Sequence, residues 1–117
     1  MRLCIEFDTV DSVRPVVFLG DSLARIRDFP DLARSEAGYQ LREVQKGFEP
    51  ADWKPMKTVG PGVREIRIRE GAGAFRIIYL ASGGQQVVVV HVFPKKTKTT
   101  SRHDIDLAAI RLRAWKG

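Results

Sequence analysis

The stretch from Lys54 to Lys98 concentrates the basic side chains of this chain. It carries nine lysines and arginines against two glutamates, whereas the residues before it carry more acidic than basic groups. The formal charge of the whole chain is +6, so the positive excess lies mainly in this one stretch. Guanidinium and ammonium groups bind phosphate through charge-assisted hydrogen bonds, and a basic surface attracts polyanions. The charge distribution therefore predicts a partner with a phosphate backbone.

Alternation within the stretch predicts which of these charges share a face. Val63–Arg69 alternates apolar and charged residues, as a half-buried strand does. Successive side chains of a strand point to opposite faces, so the isoleucines should face the core and the charged residues should face outward. The expected core pair is Ile66 and Ile68, and the expected outward set is Glu65, Arg67 and Arg69.

The next predicted strand, Phe75–Ala81, adds one arginine to the same surface. Its expected core set is Phe75, Ile77 and Tyr79. Arg76 then points the other way, and antiparallel pairing would bring it beside Arg67 or Arg69. Like charges opposite each other destabilise a sheet, so such a pair is kept most readily where an anion sits between the two groups. Lysines after the last strand could form a third side of this surface.

The motifs of several other chemistries are absent from the sequence. It contains no phosphate-binding glycine loop ending in Gly-Lys, no dinucleotide fingerprint, and no spacing typical of a metal site or a nucleophilic triad. We therefore expect no metal and no cofactor. What remains is chemistry on a phosphodiester, in which arginines stabilise the developing charge and a histidine, lysine or tyrosine transfers protons.

Each candidate residue also has a structural explanation. Lysine and arginine on an exposed strand block edge pairing, which would account for Arg69. His91 lies in an apolar strand, where it could be a hydrogen-bonded core histidine, and His103 lies at a helix start on the surface. The basic segment after the last strand could be a solvated loop, and it contains Lys95, Lys96 and Lys98.

The elements that position these residues follow from periodicity and from helix-breaking residues. Two strand candidates, Arg2–Phe7 and Pro15–Leu19, precede two helical segments. The first helix is predicted at Ser22–Phe29, and the second starts at Pro30, which suits the first turn of a helix. Apolar residues at helical spacing predict a buried stripe on the second helix. They are Ala33, Ala37, Leu41 and Val44.

Two glycines mark the second helix. Gly47 follows the stripe and suits the position just after a helix end. Gly38 lies inside the helix, where it costs about 1 kcal/mol relative to alanine, so it indicates either a close contact with the sheet or a tolerated defect. The proline-containing segment Glu49–Pro61 is predicted to be a loop, with Trp53 packed over the edge of the core.

A meander and a final helix complete the predicted fold. Glycine-containing turns join Val63–Arg69, Phe75–Ala81 and Val87–Phe93 into antiparallel hairpins. Ser101 and Asp104 have the spacing of a capping box at a helix start. The apolar face of that helix would consist of Ile105, Ala108, Leu112 and Trp115. Residues 1–117 are thus predicted to form a single α+β domain, an antiparallel sheet with two N-terminal helices and a C-terminal helix.

Composition also predicts the compartment. The chain has 117 residues, of which 44% are hydrophobic, and one cysteine. A lone cysteine suits a reducing compartment. No apolar run reaches the roughly 18 residues that a membrane span needs, and the start of the chain shows no secretory signal. We therefore expect a cytoplasmic protein without a membrane partner.

Several segments, taken together, resemble a known family. VREIRI, FRIIY and HVFPKKT occur in this order, preceded by PVVFLGDSL and followed by RHDIDLAAIRL. This arrangement closely resembles the phage-derived, HigB-like branch of the RelE/ParE toxin superfamily, from about Pro15 to Arg113. The resemblance implies a RelE-like fold and a type II toxin held inactive by a cognate antitoxin, often of helix-turn-helix type. It also implies cleavage of mRNA on the ribosome without a metal, which leaves a 2′,3′-cyclic phosphate and a 5′-hydroxyl.

The resemblance assigns roles by position. Arg76 in FRIIY matches the catalytic arginine of the family, and Arg67 and Arg69 match strand positions that contact RNA phosphates. Lys95 matches a basic residue after the last strand, and we expect it to take part in catalysis. Further RNA contacts are expected from Arg64, Lys57, Lys96 and Lys98.

One position departs from the family pattern. RelE has a catalytic tyrosine in its C-terminal segment, whereas no tyrosine follows Tyr79 in this chain. His91 and His103 are therefore the candidates for its acid–base role.

Two classes of function follow from this sequence. The first is an mRNA interferase, an endoribonuclease toxin whose partners are the antitoxin, the ribosome and mRNA. The second is a non-enzymatic protein of the same fold, such as a gyrase inhibitor of the ParE kind or a nucleic-acid-binding module. Fold alone does not decide between them.

Overall fold

The computed structural model describes residues 13–71, 73–81, 85–95 and 99–117. Within them the elements are β1 Val16–Phe18, α1 Ser22–Arg27, α2 Asp31–Gln45, β2 Trp53–Pro55, β3 Val63–Glu70, β4 Gly73–Leu80, β5 Val87–Pro94 and α3 Arg102–Lys116. This order confirms the predicted α+β class. The predicted strand Arg2–Phe7 and the turn at 82–84 lie outside the described residues. No helix in the described part of the chain is long and apolar enough to cross a lipid bilayer.

The strands form a sheet in the order β1-β5-β4-β3-β2. β3, β4 and β5 are antiparallel neighbours, which confirms the predicted meander. The sheet as a whole is mixed rather than antiparallel, because the long connection after β1 lets β5 return parallel to it. β2 lies in the segment that was predicted to be a loop. Its Pro55 is tolerated because β2 is an edge strand with one partner, β3.

Helices cover the sheet on both faces. One hydrophobic core joins α1 and α2 to the first face, around Ile66 and Ile77. A second core joins α3 to the opposite face, which we call the α3 face, around Ile78 and Leu112. A strand that is buried on both faces is apolar throughout and does not alternate. This explains β5, which is buried continuously up to Phe93.

The two glycines of α2 have different surroundings. The predicted apolar stripe is buried, with none of its four residues more than 5% exposed. Gly47 follows the C-cap residue Lys46 with a φ of 97°, a left-handed conformation that favours glycine. Gly38 is exposed, and nothing lies within 4 Å of the position that a Cβ would take. Gly38 is therefore the tolerated defect and not a contact with the sheet.

α3 begins at its predicted cap. The Oγ of Ser101 accepts a hydrogen bond from the backbone nitrogen of Asp104 at 3.1 Å. Ala108 and Leu112 are buried as predicted, whereas Trp115 is 42% exposed. The prediction that Trp115 belongs to the buried face was therefore wrong. Helical spacing shows which residues share a face of the helix, but it does not show at which residue that face stops contacting the core.

We expect Gly38→Ala to stabilise the protein by up to about 1 kcal/mol, because alanine favours the helix and would meet no neighbour here. The thermal midpoint should rise by roughly 4 °C. Gly47→Ala is the matched control and should lower the midpoint, since its backbone is left-handed. Thermal unfolding followed by circular dichroism measures both changes. A lowered midpoint for Gly38→Ala would contradict an open helix surface at this position.

Candidate functional site

Two arginines lie directly opposite each other on the α3 face. Arg67 of β3 and Arg76 of β4 are paired residues of the antiparallel ladder, which confirms that Arg76 lies beside the predicted outward arginines. Arg76 is 4% exposed, and the side chain of Arg67 is 34% exposed. Around this pair we define the basic face, which comprises Lys54, Arg67, Arg69, Arg76 and Lys95.

Both central arginines have a buried Nε that makes no hydrogen bond within the described part of the chain. Among the described residues, the Nε atoms of Arg67 and Arg76 have no hydrogen-bond acceptor. Arg76 donates from Nη1 to the carbonyl oxygen of Phe75 at 3.1 Å, so part of its guanidinium is held by the backbone. A buried donor without an acceptor costs about 1–3 kcal/mol. An anion with several acceptor oxygens would remove that cost at both arginines.

Glu65 differs from its predicted position. It was expected to face outward with Arg67 and Arg69, and it does share their face, but it is fully buried. Its Oε2 accepts a hydrogen bond of 2.5 Å from Oγ1 of Thr100. Its Oε1 lies 3.6 Å from Nε of Arg76 and 3.8 Å from Nζ of Lys54. The alternation of residues along a strand predicts the face to which Glu65 points. It does not predict that Thr100, which is distant in sequence, covers Glu65 there.

The carboxylates at the basic face neutralise only part of its charge. Besides Glu65, Asp52 approaches Nη1 of Arg67 at 3.9 Å. Among the residues that the structure describes, the basic groups of this face outnumber these carboxylates, five against two. Burial lowers the pKa of Arg76, and the charges of Arg67 and Arg69 lower it further, whereas Glu65 raises it.

Lys95 lies at the end of β5, next to the arginine pair. Its backbone nitrogen donates to the carbonyl oxygen of Ala74 at 2.7 Å. Burial lowers the pKa of the Lys95 ammonium, and the charge of Arg76 acts in the same direction. Lys95 also borders a cleft of about 270 Å³ between the end of β5, the last turn of α1 and the start of α3. The other lining residues are Arg25, Phe93, Pro94, Thr99, Ser101 and Asp104.

His91 is held inside the protein by both ring nitrogens. It is 1% exposed, and its Nε2 lies 2.7 Å from Oδ1 of Asp104. Its Nδ1 lies 3.3 Å from Nη1 of Arg111. Because arginine only donates, Nδ1 must accept, and Nε2 must carry the proton and donate it to Asp104. The geometry therefore matches the structural explanation of His91, while His103 lies exposed in the first turn of α3.

Arg64, one of the other predicted RNA contacts, lies apart from the basic face. Arg64 is on the opposite face of β3, with its guanidinium 3.9 Å from the ring centroid of Trp53. It borders a second cleft, of about 310 Å³, together with Tyr79 and Arg14. Lys57 is exposed in the turn after β2. Lys96 and Lys98 lie outside the described residues.

Three contributors to this site were not predicted from the sequence. Lys54 and Asp52 were part of a predicted loop, because two prolines concealed the short strand β2. Thr100 carried no signal of its own, since its contact with Glu65 depends on how α3 docks. In the described part of the chain, no three His, Cys, Asp or Glu side chains gather where they could hold a metal ion.

The sequence that forms this site also matches the profile of a known protein family. The profile of the phage-derived protein family Gp49-like (DUF891) matches residues 24–113. The chain belongs to this family. The matched segment includes the whole meander and every residue of the basic face. No curated protein matches the chain.

We expect His91 to make the stability of the protein fall as pH drops below about 6.5. Burial lowers the pKa of His91 in the folded protein, although Asp104 opposes this effect. The unfolded chain therefore takes up the proton first, and stability falls as pH drops below the ordinary histidine value of about 6.5. Urea unfolding at a series of pH values should show this fall in the wild type and in His103→Gln. The fall should be smaller in His91→Gln, and an equally steep fall in that variant would contradict the buried, neutral ring.

Proposed function

We propose that this protein is the toxin of a type II toxin–antitoxin pair and cleaves mRNA on the ribosome. The observation that carries the proposal is the arginine pair, Arg67 opposite Arg76, in which each side chain has a buried Nε that makes no hydrogen bond to any described residue. Membership of a phage-derived family and the resemblance to HigB-like toxins support the same reading. The antitoxin, the ribosome and mRNA are the partners that this function requires, and the cytoplasm is where they meet.

The arginine pair suits the transition state of phosphodiester cleavage. The scissile phosphate would lie between Arg67 and Arg76, with its non-bridging oxygens accepting from the free Nε donors. The 2′-hydroxyl oxygen bonds to phosphorus and releases its proton to water or to His103, and the bond from phosphorus to the 5′-oxygen breaks. Fixed donors directed at the charge on the phosphorane are often the largest catalytic term. The products are a 2′,3′-cyclic phosphate and a 5′-hydroxyl.

Lys95 is our candidate for the proton donor to the leaving 5′-oxygen. Its pKa is lowered by burial and by Arg76, so its ammonium gives up a proton more readily than an ordinary lysine. His91 is left out of the catalytic group, because both of its ring nitrogens are engaged inside the protein. His103 is exposed and remains a sequence-based candidate for the base.

The rest of the basic face would hold the RNA backbone. Arg69 and Lys54 extend the positive charge along neighbouring strands, on either side of the arginine pair. On sequence grounds, we propose that the RNA backbone also contacts Lys57, Lys96 and Lys98. Arg64 is not included, because it lies on the opposite face over Trp53.

A non-enzymatic function is the second candidate. The observation in its favour is that His91, the only histidine in the meander, bonds to Asp104 and Arg111 and presents no free nitrogen to a substrate. The basic face would then only dock a polyanion or a target such as gyrase. Mapping mRNA 5′ ends after induction separates the two functions. Codon-phased cuts support the nuclease, and intact mRNA with DNA damage supports the second candidate.

We expect Arg76→Lys to lower single-turnover cleavage of mRNA on programmed ribosomes by about 10²–10³-fold. Lysine keeps a positive charge beside buried Glu65, so the fold should persist, but it lacks Nε and the planar fork of arginine. Arg34→Ala, on the exposed side of α2, is the control and should cleave at the wild-type rate. Wild-type cleavage by folded Arg76→Lys would remove the proposed role of the arginine pair.

A further inference from the structure

A buried acid lies in the centre of the basic face. Glu65 is fully buried, although burying a charge costs several kcal/mol. Its negative charge also opposes the binding of any anion at Arg67 and Arg76. The proposed nuclease site therefore contains a residue that weakens phosphate binding, and the mechanism above gives it no task.

The geometry of Glu65 leaves the donors of Arg76 available. Among the described residues, the hydrogen-bond partner of the carboxylate is Thr100, at 2.5 Å. Nε of Arg76 is 3.6 Å from Oε1, and that oxygen has no hydrogen-bond partner among the described residues. The carboxylate thus attracts the guanidinium without occupying its Nε. Thr100 holds the carboxylate at this separation.

We infer that Glu65 is a positioning residue of the proposed nuclease, and that Thr100 restrains it so that Arg76 stays fixed but free to donate. This inference rests on the proposed function. Fixing a charged group before the reaction raises the rate, because no reorganisation is needed in the transition state. Glu65 therefore favours the chemical step while it weakens the binding of RNA. A residue that served only the fold would not separate these two quantities.

Glu65→Gln should shift binding and cleavage in opposite directions. It removes one negative charge from the basic face, so a short single-stranded RNA should bind about 3- to 10-fold more tightly at low salt. The guanidinium of Arg76 loses its charged neighbour, so cleavage at saturating protein should slow by about 10- to 100-fold. Thermal unfolding shows whether the variant is folded.

Thr100→Val should change RNA affinity and cleavage in the same direction, unlike Glu65→Gln. Valine has the shape of threonine but lacks the hydroxyl that holds Oε2. The released carboxylate can move to Nε of Arg76 and compete with the phosphate. Both RNA affinity and cleavage should therefore fall, each by about 3-fold or more. The two variants thus change affinity in opposite directions, and Thr100→Val decides the matter if Glu65→Gln does not fold.

Fluorescence anisotropy with a labelled RNA oligonucleotide and single-turnover cleavage on programmed ribosomes measure these effects on the full chain. Glu43→Gln on α2 is the matched control, because it removes the same charge from the other side of the sheet. It should leave both readings unchanged.

The outcomes separate the inference from the proposed function. If the wild type cleaves and Glu65→Gln cleaves at the wild-type rate, or binds RNA no more tightly than Glu43→Gln, Glu65 is only structural and the inference is overturned. The same holds if folded Thr100→Val binds RNA as the wild type does. If the wild type does not cleave mRNA on ribosomes, the proposed nuclease and this inference both fail.

Discussion

Repulsion between two guanidinium groups is the constraint on which the α3 face depends. Arg67 and Arg76 are held opposite each other by the ladder of β3 and β4, so neither can leave without disturbing the sheet. Glu65 and Asp52 relieve part of this repulsion from distances beyond a hydrogen bond. These carboxylates therefore reduce the repulsion between the arginines without forming hydrogen bonds to them.

The α3 face also carries a hydrophobic core, and these apolar surroundings strengthen the electrostatic interactions of the arginines. Leu112 of α3 belongs to the same core as Ile78 and Phe93, on the face that carries the arginines. Apolar surroundings lower the local dielectric response, so each charge acts more strongly than it would in water. The start of α3 takes part in both roles, since Thr100 bonds to Glu65 and Asp104 bonds to His91. Packing and electrostatics are therefore joined in one short segment.

Local patterns in the sequence predicted the parts of the structure that depend on local rules. Alternation placed Ile66 in the first core and Arg76 beside Arg67, and helical spacing identified the buried stripe of α2. Contacts between distant segments were not predictable in this way. The burial of Glu65 under Thr100 depends on how α3 docks on the sheet. The strand β2 was concealed because an edge strand tolerates proline, which ordinarily signals a loop.

The arrangement of the sheet also protects this chain from self-association. β4 and β5 are eight residues long and largely apolar, the kind of segment that forms intermolecular β-structure when it is exposed. Within the described residues both are interior strands, and the strands at the two edges, β1 and β2, are only three residues long. Lys54 and Pro55 on β2 further discourage the addition of a foreign strand. Strand pairing between molecules through β4 or β5 should therefore require opening of the sheet.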